Sequence, residues 1–439
     1  MKKYDSYKDS GVEWIGSIPS HWESMPLKRY GRFNKGLSFT KADLVSEGKP
    51  VVSYGQVHSK LNKGTSLRNE LIRFVPDSIA NSEASLVEKG DFIFADTSED
   101  LEGSGNVVYN DTNDNVYGGY HTVLFQTKNN DNKYLAYLFT TDCWRSQIRS
   151  RVGGVKVYSI TQYILGLSSI ILPPLAEQKK IASYLDEQTS RIDNIIQARE
   201  NKIKLLEELR AAIISKAVTK GIRKNVETKD SGIEWIGQVP KHWEVALLKR
   251  YASIQTGTTP NTNDERYWQD PTIDWYTPVD FHGDLNLSPS KRKVTEVAIN
   301  EFACPKYLPN TVLIVGIGAT LGNVGISLTI CSSNQQLNAV IFGNKIKPQY
   351  GAYYLSSIKD VMRSVANSST LAIMNQTTTK NLLMLCPPIE EQDEIVNYIE
   401  IKNTDIKLNI EKANKEIGLL KEYRSSLITE VVTGKRKVI

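Results

Sequence analysis

The stretch Pro173-Pro174-Leu175-Ala176-Glu177-Gln178 opens a long run of mixed polar and apolar residues that extends to about Val218. The chain carries this pattern twice, because Pro387-Pro388-Ile389-Glu390-Glu391-Gln392 opens a second copy 214 positions later. The second copy extends to about Val432 without a gap. Proline suits the first turn of a helix, where its missing N–H group is no loss. The repeat therefore predicts two long helices that share one pattern.

The apolar residues of each copy are spaced by three, four and seven positions, which places them on one face of a helix. They are Ile181, Leu185, Ile192, Ile196, Ile203, Leu206, Ile213 and Ala217 in the first copy, and Ile395, Ile399, Ile406, Ile410, Ile417, Leu420, Leu427 and Val431 in the second. A helix of about 40 to 45 residues is about 60–65 Å long, which is too long for one globular domain. Because a one-sided apolar stripe needs a partner, we expect the two helices to pack together as a coiled-coil rod.

A second repeat lies before each helix. Residues 8–16 read Lys-Asp-Ser-Gly-Val-Glu-Trp-Ile-Gly, and residues 229–237 differ from them only by Ile in place of Val. Over positions 8–30 and 229–251, seven of the 23 residues differ, which indicates a duplicated unit. We interpret His21 and His242 in these segments as part of a packed layer around the base of each domain rather than as catalytic residues.

The order of these repeats is cyclic along the chain. The first long helix leads directly into the second copy of the short motif, and the chain begins with the first copy of that motif. We therefore expect the two termini to lie close together and the two halves to be related by an approximate two-fold axis.

The segments between the short motifs and the long helices have mixed character. Strands are predicted near 91–95 and 121–125 in the first half, and near 311–315 and 338–342 in the second. Each second strand leads to an aromatic stretch, 134–139 or 350–355, that we interpret as a helix. The middles of the segments have diverged while their flanks agree, which is typical of a common frame that carries two different binding surfaces. The fold class is therefore α+β, with two similar α/β domains.

Composition limits the possible classes of protein. The chain has 439 residues, of which 40% are hydrophobic, and this length suits two to four domains. The sequence has no run of about 18 apolar residues and no secretory leader, so we expect a cytoplasmic protein without a membrane segment. We interpret the four scattered cysteines as buried free thiols rather than metal ligands. The formal net charge of +5 permits a polyanionic partner but does not demand one.

Motifs for catalysis are missing. The two Pro-Pro pairs lack the neighbouring polar and aromatic residues with which adenine methyltransferases hold a flipped base. The glycine-rich stretch 316–322 fits a turn into another strand better than a nucleotide-binding loop. Glu177-Gln178-Lys179 has the shape of a nuclease metal motif, but such triplets arise by chance on long charged helices. We therefore predict no catalytic residue, metal site or cofactor.

Because motifs for catalysis are missing, we expect a binding function, and polar residues in both variable segments are candidates for contact with DNA. In the first half they are Tyr54, Gln56, Arg68, Arg73, Arg149, Arg151 and Lys156. In the second half they are Thr258, Lys291, Arg292, Lys293, Gln335 and Gln336. Glutamine amides can bind adenine edges, and basic side chains can bind phosphates. Neither segment is basic overall, so any contact surface must be local, and a solvated face is the alternative for each single residue.

The doubled Gly-(Val/Ile)-Glu-Trp-Ile-Gly and Pro-x-His-Trp-Glu motifs, with the doubled Pro-Pro-x-x-Glu-Gln helices, resemble the specificity subunit of type I restriction-modification systems over essentially the whole chain. The resemblance implies two target-recognition domains, each binding one half of a split DNA sequence, on two long antiparallel spacer helices. The implied boundaries are 1–172 and 223–386 for the recognition domains, and 173–222 and 387–439 for the spacer helices.

The resemblance also implies partners. Two adenine methyltransferase subunits would dock on the specificity chain, and motor-nuclease subunits would join in the full complex. Glu207, Glu208, Arg210, Glu422 and Arg424 are candidates for the docking surface, and ordinary solvent-exposed helix charges are the alternative. Because the chain contains its own internal pseudo-dimer, we expect a monomer when it is alone. A coiled-coil scaffold with two protein-binding domains remains the alternative function, as does a recognition chain whose catalytic partner is missing or inactive.

Overall fold

The computed structural model describes residues 2–127, 129, 131–154, 156–366 and 372–438. The chain divides into two compact units. Unit 1 comprises Met1–Arg199 and Lys415–Ile439, and unit 2 comprises Glu200–Asn414. Each long helix therefore contributes one part to each unit.

Unit 1 contains an α/β domain and parts of both long helices. Its strands are β1 (Tyr7–Asp9), β2 (Ser17–Pro19), β3 (Glu23–Pro26), β4 (Arg32–Lys35), β5 (Lys49–Val52), β6 (Arg73–Val75), β7 (Leu86–Val87), β8 (Phe92–Ala95), β9 (Thr97–Ser98), β10 (Val107–Tyr109), β11 (Val116–Gly118), β12 (Thr122–Gln126), β13 (Tyr158–Ser159) and β14 (Ser169–Leu172). Its helices are α1 (Tyr54–Val57), α2 (Lys133–Thr140), α3 (Asp142–Arg149), α4 (Gln162–Leu167) and the first part of α5 (Leu175–Lys220).

Unit 2 repeats this organisation. Its strands are β15 (Thr228–Asp230), β16 (Gln238–Pro240), β17 (Glu244–Leu247), β18 (Ala252–Thr256), β19 (Ile273–Tyr276), β20 (Lys293–Val294), β21 (Val312–Val315), β22 (Val324–Ile326), β23 (Cys331–Ser333), β24 (Leu337–Phe342) and β25 (Leu383–Cys386). Its helices are α6 (Glu296–Asn300), α7 (Pro348–Ser357), α8 (Lys359–Val365), α9 (Gln376–Lys380) and the first part of α10 (Ile389–Val432). The strands predicted around 91–95, 121–125, 311–315 and 338–342 are thus confirmed as β8, β12, β21 and β24.

The first sheets of the two units have the same topology, and the second sheets share three strands, with β7 as an additional strand in unit 1. In unit 1 a first sheet has the order β10-β8-β12-β4, and a second has the order β6-β5-β11-β7. In unit 2 the corresponding sheets have the orders β22-β21-β24-β18 and β20-β19-β23. The pairs β5–β11 and β19–β23 are parallel, whereas the other pairs of these sheets are antiparallel. The duplication inferred from the short motifs therefore extends through the diverged segments, because burial fixes the pattern of strands even where the side chains differ.

The long helices pack antiparallel within unit 1. Two ion pairs show this direction. Asp193 Oδ1 lies 3.0 Å from Arg424 Nε, and Arg199 Nε lies 2.7 Å from Glu416 Oε2. The residue number rises along α5 from the first pair to the second, while it falls along α10. All predicted stripe positions of both helices are buried or half-buried. The apolar periodicity therefore identified the face on which each helix packs.

Matching hydrogen bonds hold the base of each unit. His21 Nε2 lies 2.9 Å from Glu177 Oε2, and His242 Nε2 lies 2.7 Å from Glu391 Oε2. The indole rings of Trp22 and Trp243 next to these histidines are fully buried. Both imidazoles are exposed, and each contacts a glutamate in the first turn of a long helix, so each links the short motif to that helix.

The termini lie close together inside unit 1. The backbone N–H of Lys437 donates to the carbonyl oxygen of Lys2 at 2.9 Å, and the Tyr7 hydroxyl donates to the carbonyl oxygen of Gly434 at 3.1 Å. The cyclic order of the repeats predicted this proximity. None of the helices in the described part of the chain combines the length and the hydropathy that crossing a bilayer requires.

Candidate nucleic-acid interface

A short turn at the end of β5 corresponds to a turn at the end of β19, and a capping box builds each of them. Ser53 and Gln56 form the first box, and Thr277 and Asp280 form the second. The backbone N–H of Ser53 donates to Oε1 of Gln56 at 3.1 Å. The side-chain carbonyl oxygen of Gln56 therefore uses one of its two lone pairs in the turn, and its NH₂ group is available for a base edge.

The turn of the first half opens into a cavity of about 690 Å³. The ring of Tyr54 lies edge-on to three aromatic neighbours, with centroid distances of 6.3 Å to His58, 5.7 Å to Tyr120 and 5.6 Å to His121. Burial is the main reason that the pKa of Tyr120 is raised, so its phenol stays protonated at neutral pH. Tyr54, His58 and His121 line the cavity and form its aromatic wall.

The opposite wall of this cavity is the loop that carries Glu99, Asp100 and Glu102. Strand β9 at its start pairs with β13, which brings Val157 to the cavity and places the exposed Lys156 beside it. Arg149 Nη2 donates to the carbonyl oxygen of Glu102 at 2.9 Å, so Arg149 supports this loop. Of the predicted residues, Tyr54 lines the cavity, and Arg149 and Lys156 each contact or adjoin a lining residue without lining the cavity themselves.

The charge of this cavity is negative. His121 Nδ1 lies 3.3 Å from Asp96 Oδ1, while the three carboxylates of the opposite loop are not in an ion pair within the described residues. Carboxylates repel phosphates, but they accept hydrogen bonds from the amino groups of cytosine and adenine. The chemistry of the cavity therefore suits base edges better than the DNA backbone.

Three other candidate residues of the first half lie outside this cavity lining. Arg68 Nη1 donates to the carbonyl oxygen of Leu61 at 3.4 Å, and Arg73 Nη1 donates to that of Ile72 at 2.7 Å. Arg151 Nη1 donates to the carbonyl oxygen of Gln147. All three arginines are exposed, and each keeps further N–H groups for a partner beside the bonds to these carbonyl oxygens.

In the second half, the turn after β18 packs directly on the residues before β24. A Cβ atom at Gly257 would overlap the carbonyl oxygens of Ser333 and Asn334, so only glycine fits there. The Thr258 hydroxyl donates to the carbonyl oxygen of Ala303 at 3.2 Å. This close approach brings two polar segments, 257–261 and 334–336, onto one surface.

Amide side chains of this surface are fixed by short contacts. The Thr259 hydroxyl donates to Oε1 of Gln335 at 2.6 Å, and Asn334 Nδ2 donates to Oε1 of Gln336 at 2.9 Å. Both glutamines therefore have an occupied carbonyl oxygen, and each retains an NH₂ donor. Gln335 is exposed and Gln336 is half-buried.

An aromatic and cationic cluster lies beside these amides. The guanidinium of Arg292 lies 4.6 Å from the ring centroid of Trp268 and 4.8 Å from that of Trp275. Each indole N–H is bonded to the neighbouring turn, Trp275 to the carbonyl oxygen of Thr258 at 3.1 Å and Trp268 to that of Asn261 at 3.0 Å. The two rings are nearly perpendicular, at 88°, so the guanidinium lies in the corner between them, where cation–π attraction to both rings holds it.

The three basic residues at 291–293 make different contacts. Lys293 Nζ lies 3.4 Å from Oδ1 of the buried Asp274, so its charge stabilises the domain. The backbone N–H of Lys291 donates to Asp280 Oδ1 at 3.0 Å, and the Lys291 side chain is exposed. Of the two lysines, Lys291 is therefore the better placed to contact a phosphate.

The helix residues predicted for docking also differ from one another. Glu207, Glu208 and Glu422 are exposed, and Glu208 forms a 4.0 Å ion pair with Lys204. Arg424 pairs with Asp193 and helps to hold the long helices together in unit 1. Arg210 is half-buried and lines a cavity of unit 2.

Sequence reasoning missed His58, His121, Trp268 and Trp275, although two local signals were present. His121 directly precedes a buried strand, and Trp275 lies within a short strand that Trp268 precedes, in a segment rich in polar residues. Across the residues that the structure describes, no group of three or more His, Cys, Asp or Glu side chains is arranged to hold a metal ion.

Comparison with known proteins gives one family. Residues 19–205 and 240–418 each match the type I restriction modification DNA specificity domain. The MjaIX specificity subunit of Methanocaldococcus jannaschii is 28% identical over 185 residues, which are 41% of this chain and 42% of that protein. The StySPI specificity subunit of Salmonella potsdam is 22% identical over 407 residues, which are 88% of this chain and 82% of that protein. The match thus spans less than half of the first relative and most of the second.

Solved structures agree on the fold. A chain described as "Structural basis underlying complex assembly and conformational transition of the type I R-M system" aligns with a TM-score of 0.72 at 18% identity, over 94% of this chain and 98% of that chain. The HsdS subunit from Thermoanaerobacter tengcongensis aligns with a TM-score of 0.51, also at 18% identity, over 95% of this chain and 98% of that chain. At such identities the likeness concerns the fold alone.

Proposed function

The chain belongs to the family of type I restriction modification DNA specificity proteins, and from this premise we propose that it is the DNA-recognition subunit of a type I restriction-modification complex. In this proposal each α/β domain binds one part of a split DNA target, and the long helices set the gap between the two parts. The subunit itself supplies recognition, and its partners carry out methylation and cleavage of the DNA.

One observation carries the proposal: the same framework presents different chemistry at corresponding positions of its two copies. The residues directly before β12 are Tyr120 and His121, whereas those directly before β24 are Gln335 and Gln336. The first surface is aromatic and acidic, and the second offers amide and guanidinium donors. Two unlike surfaces on equal frames are what recognition of two unlike half-sites requires, since side chains at base edges carry the sequence information.

Contacts with DNA are divided between positioning and base recognition. Tyr54, Gln56, Gln335 and Gln336 are proposed to face base edges, together with Thr258 and Arg292 beside them. Lys156, Lys291, Arg68 and Arg73 are proposed to contact phosphates because they are exposed and basic. Arg149 and Lys293 support these surfaces through the partners described above, and the exposed Arg151 is proposed to contact a phosphate.

Docking of methyltransferase subunits is proposed on the outward faces of the long helices. Glu207, Glu208 and Glu422 lie there among exposed apolar side chains. These apolar side chains are Ile195, Leu205, Leu209, Ile401, Leu408, Leu419 and Tyr423. Exposed apolar residues beside charges are typical of protein interaction surfaces. The proposed complex contains two methyltransferase subunits, and motor-nuclease subunits in its restricting form.

The experiment is to co-express this chain with the methyltransferase subunit encoded beside it and to map methylated adenines across the host genome. We expect a split motif with a fixed gap that disappears when this chain is omitted. Exchanging residues 245–372 for the corresponding segment of another specificity chain should change one half of the motif only. Changes in both halves would contradict modular recognition, and a stable complex without methylation would favour a scaffold or an inactive partner.

A further inference from the structure

Unit 2 contains a polar cavity at a place where unit 1 has a network of ion pairs and hydrogen bonds. Its volume is about 550 Å³, and its lining includes Arg210 from α5, Tyr353 from α7, and Glu400, Thr404 and Lys407 from α10. All these residues belong to the same compact unit. The cavity lies between the long helices and the α/β domain of that unit.

The corresponding place in unit 1 is closed by ion pairs and hydrogen bonds. Both long helices align with an offset of 214 positions, so Arg424 corresponds to Arg210 and Asp193 corresponds to Lys407. In unit 1 the Arg424 guanidinium pairs with Asp193, with 3.0 Å between Nε and Oδ1. Tyr137 donates to Asp186 Oδ1 at 2.6 Å in the same network. Every charge of unit 1 at this place therefore has an internal partner.

A reversal of charge explains why unit 2 stays open. Lys407 stands where unit 1 has Asp193, so Arg210 lacks the carboxylate that its counterpart binds. Among the residues that the structure describes, Arg210 and Lys407 form no ion pair with Glu400 or with Asp284, the other carboxylate in the lining. A half-buried guanidinium is best stabilised by a carboxylate in bidentate geometry. The cavity thus presents two cations at the position where unit 1 supplies its own anion.

The remaining polar groups of the cavity are also suited to an acidic group. Burial, followed by the charge of Glu400, raises the pKa of Tyr353, so its hydroxyl stays protonated. The hydroxyl of Thr404 and the amide of Gln349 add further donors. Gln349 stands where unit 1 has Lys133, which pairs with Asp186 in that unit.

The rim of the cavity favours a protein over a small anion. Ile401 and Leu408 lie three and four residues from Thr404, on the same face of α10, and they are 63% and 59% exposed. Their counterparts in unit 1 are Glu187 and Asn194, which are polar. Exposed isoleucine and leucine beside Arg210 and Lys407, which have no ion-pair partner among the described residues, match an acidic side chain next to an apolar one on a folded partner.

We propose that this cavity of unit 2 is a docking pocket for an acidic side chain of a partner protein, and that Asp193 closes the equivalent position of unit 1. The inference rests on the proposed function, because the partner is the methyltransferase subunit of the complex. The partner's carboxylate binds Arg210 and Lys407, and an apolar residue beside it packs on Ile401 and Leu408.

The test compares two variants of the full chain. Lys407→Asp gives Arg210 an internal carboxylate like that of unit 1 and fills the place of the partner's side chain. Lys402→Asp is the matched control, since it makes the same change of charge at an exposed position of the same helix that is outside the cavity lining and on a different face from Thr404 and Leu408. The dissociation constant of the complex with the methyltransferase subunit is measured by analytical ultracentrifugation, and the melting temperature of the isolated chain is measured in parallel.

We expect Lys407→Asp to weaken the complex about tenfold while Lys402→Asp leaves it near the wild-type value. The melting temperature of the Lys407→Asp chain should not fall, because the new ion pair is internal. Arg210→Gln should weaken the complex similarly.

Equal binding by the wild-type, Lys407→Asp and Arg210→Gln chains would overturn the docking pocket and leave the recognition function intact. A wild-type chain that binds no methyltransferase subunit would overturn the proposed function and this inference together.

Discussion

The hydroxyl group of Tyr134 donates a hydrogen bond to the backbone carbonyl oxygen of Val432 at 2.8 Å, across 298 positions of sequence. Tyr350 makes the same bond to the carbonyl oxygen of Val218 at 3.2 Å in unit 2. Each tyrosine thus anchors the end of one long helix to an α/β domain. Burial raises the pKa of both phenols well above the ordinary value, so both remain donors throughout the range in which the protein is folded.

Replacing Tyr134 by phenylalanine should lower the free energy of unfolding by about 1–2 kcal/mol, because the ring is kept while a buried carbonyl loses its donor. Urea denaturation followed by circular dichroism measures the change. Tyr163→Phe is the control, since the Tyr163 side chain is 74% exposed. Equal stability of the two variants would show that the bond to Val432 contributes nothing.

The glycine at position 257 should not tolerate a side chain. Gly257→Ala places a Cβ atom against the carbonyl oxygens of Ser333 and Asn334, and the resulting shift should cost about 1–3 kcal/mol and reduce binding to the second half-site. Gly418→Ala on α10 meets open space and should instead be neutral or stabilise the helix by up to about 1 kcal/mol. The melting temperature and the affinity for DNA are measured for both variants. A Gly257→Ala chain with unchanged stability and normal binding would contradict the packing of this turn.

The neighbouring lysines of the basic triplet should respond differently to salt. Lys291→Ala should weaken DNA binding and reduce the slope of log affinity against log salt by about 0.9, the value for one lost phosphate contact. Lys293→Ala should leave that slope unchanged and lower stability by about 0.5–1 kcal/mol, because its partner is Asp274. Fluorescence anisotropy across a series of KCl concentrations separates the two effects. An unchanged slope for Lys291→Ala would remove this side chain from the interface.

The carboxyl group of Asp91 should make folding depend on pH. Burial raises its pKa to about 6, although the backbone N–H groups of Thr127 and Glu88 donate to it and oppose the shift. The folded chain therefore holds this proton more tightly than the unfolded chain, whose carboxyl titrates near about pH 4. The resulting stabilisation is complete below about pH 4 and is lost as the pH rises to about 6.

The measurement for Asp91 is urea unfolding at several pH values between 4 and 7 for the wild-type and Asp91→Asn chains. The asparagine cannot accept both backbone N–H groups equally well, so the slope with pH is compared rather than the absolute stability. The wild-type stability should fall relative to the variant as the pH rises through this window, and parallel curves would contradict the shift.

Local sequence patterns predicted the elements of this protein well. The stripe from Ile181 to Ala217 marked the packed face of α5, and the apolar runs near 91–95 and 311–315 became β8 and β21. These predictions succeed because helix and strand periodicity is set by the burial of one face, which a single sequence records. The duplicated motifs also predicted that the two halves would contain corresponding sheets, because duplicated segments keep the same fold.

The roles of individual polar residues could not be predicted in this way. Gln56 and Lys293 are residue types that are expected on a DNA-binding surface. In the structure, however, Oε1 of Gln56 accepts a hydrogen bond from the Ser53 N–H, and Lys293 forms an ion pair with Asp274. His121 and Trp268 enter the candidate surfaces only because distant loops meet there. Such contacts depend on which strands become neighbours, and neighbouring strands here are far apart in sequence.

The sequence by itself determined the two long helices, the duplication and the family, because each rests on periodicity or on motifs that are contiguous in the chain. The tertiary structure alone decided which charged side chains are free. Arg424 and Arg210 occupy equivalent positions, but only Arg424 has an aspartate across the helix pair, and Lys407 leaves the cavity of unit 2 open. The physical reason is that the free energy of a charge depends on the groups packed against it, and antiparallel packing brings those groups from the far end of the chain.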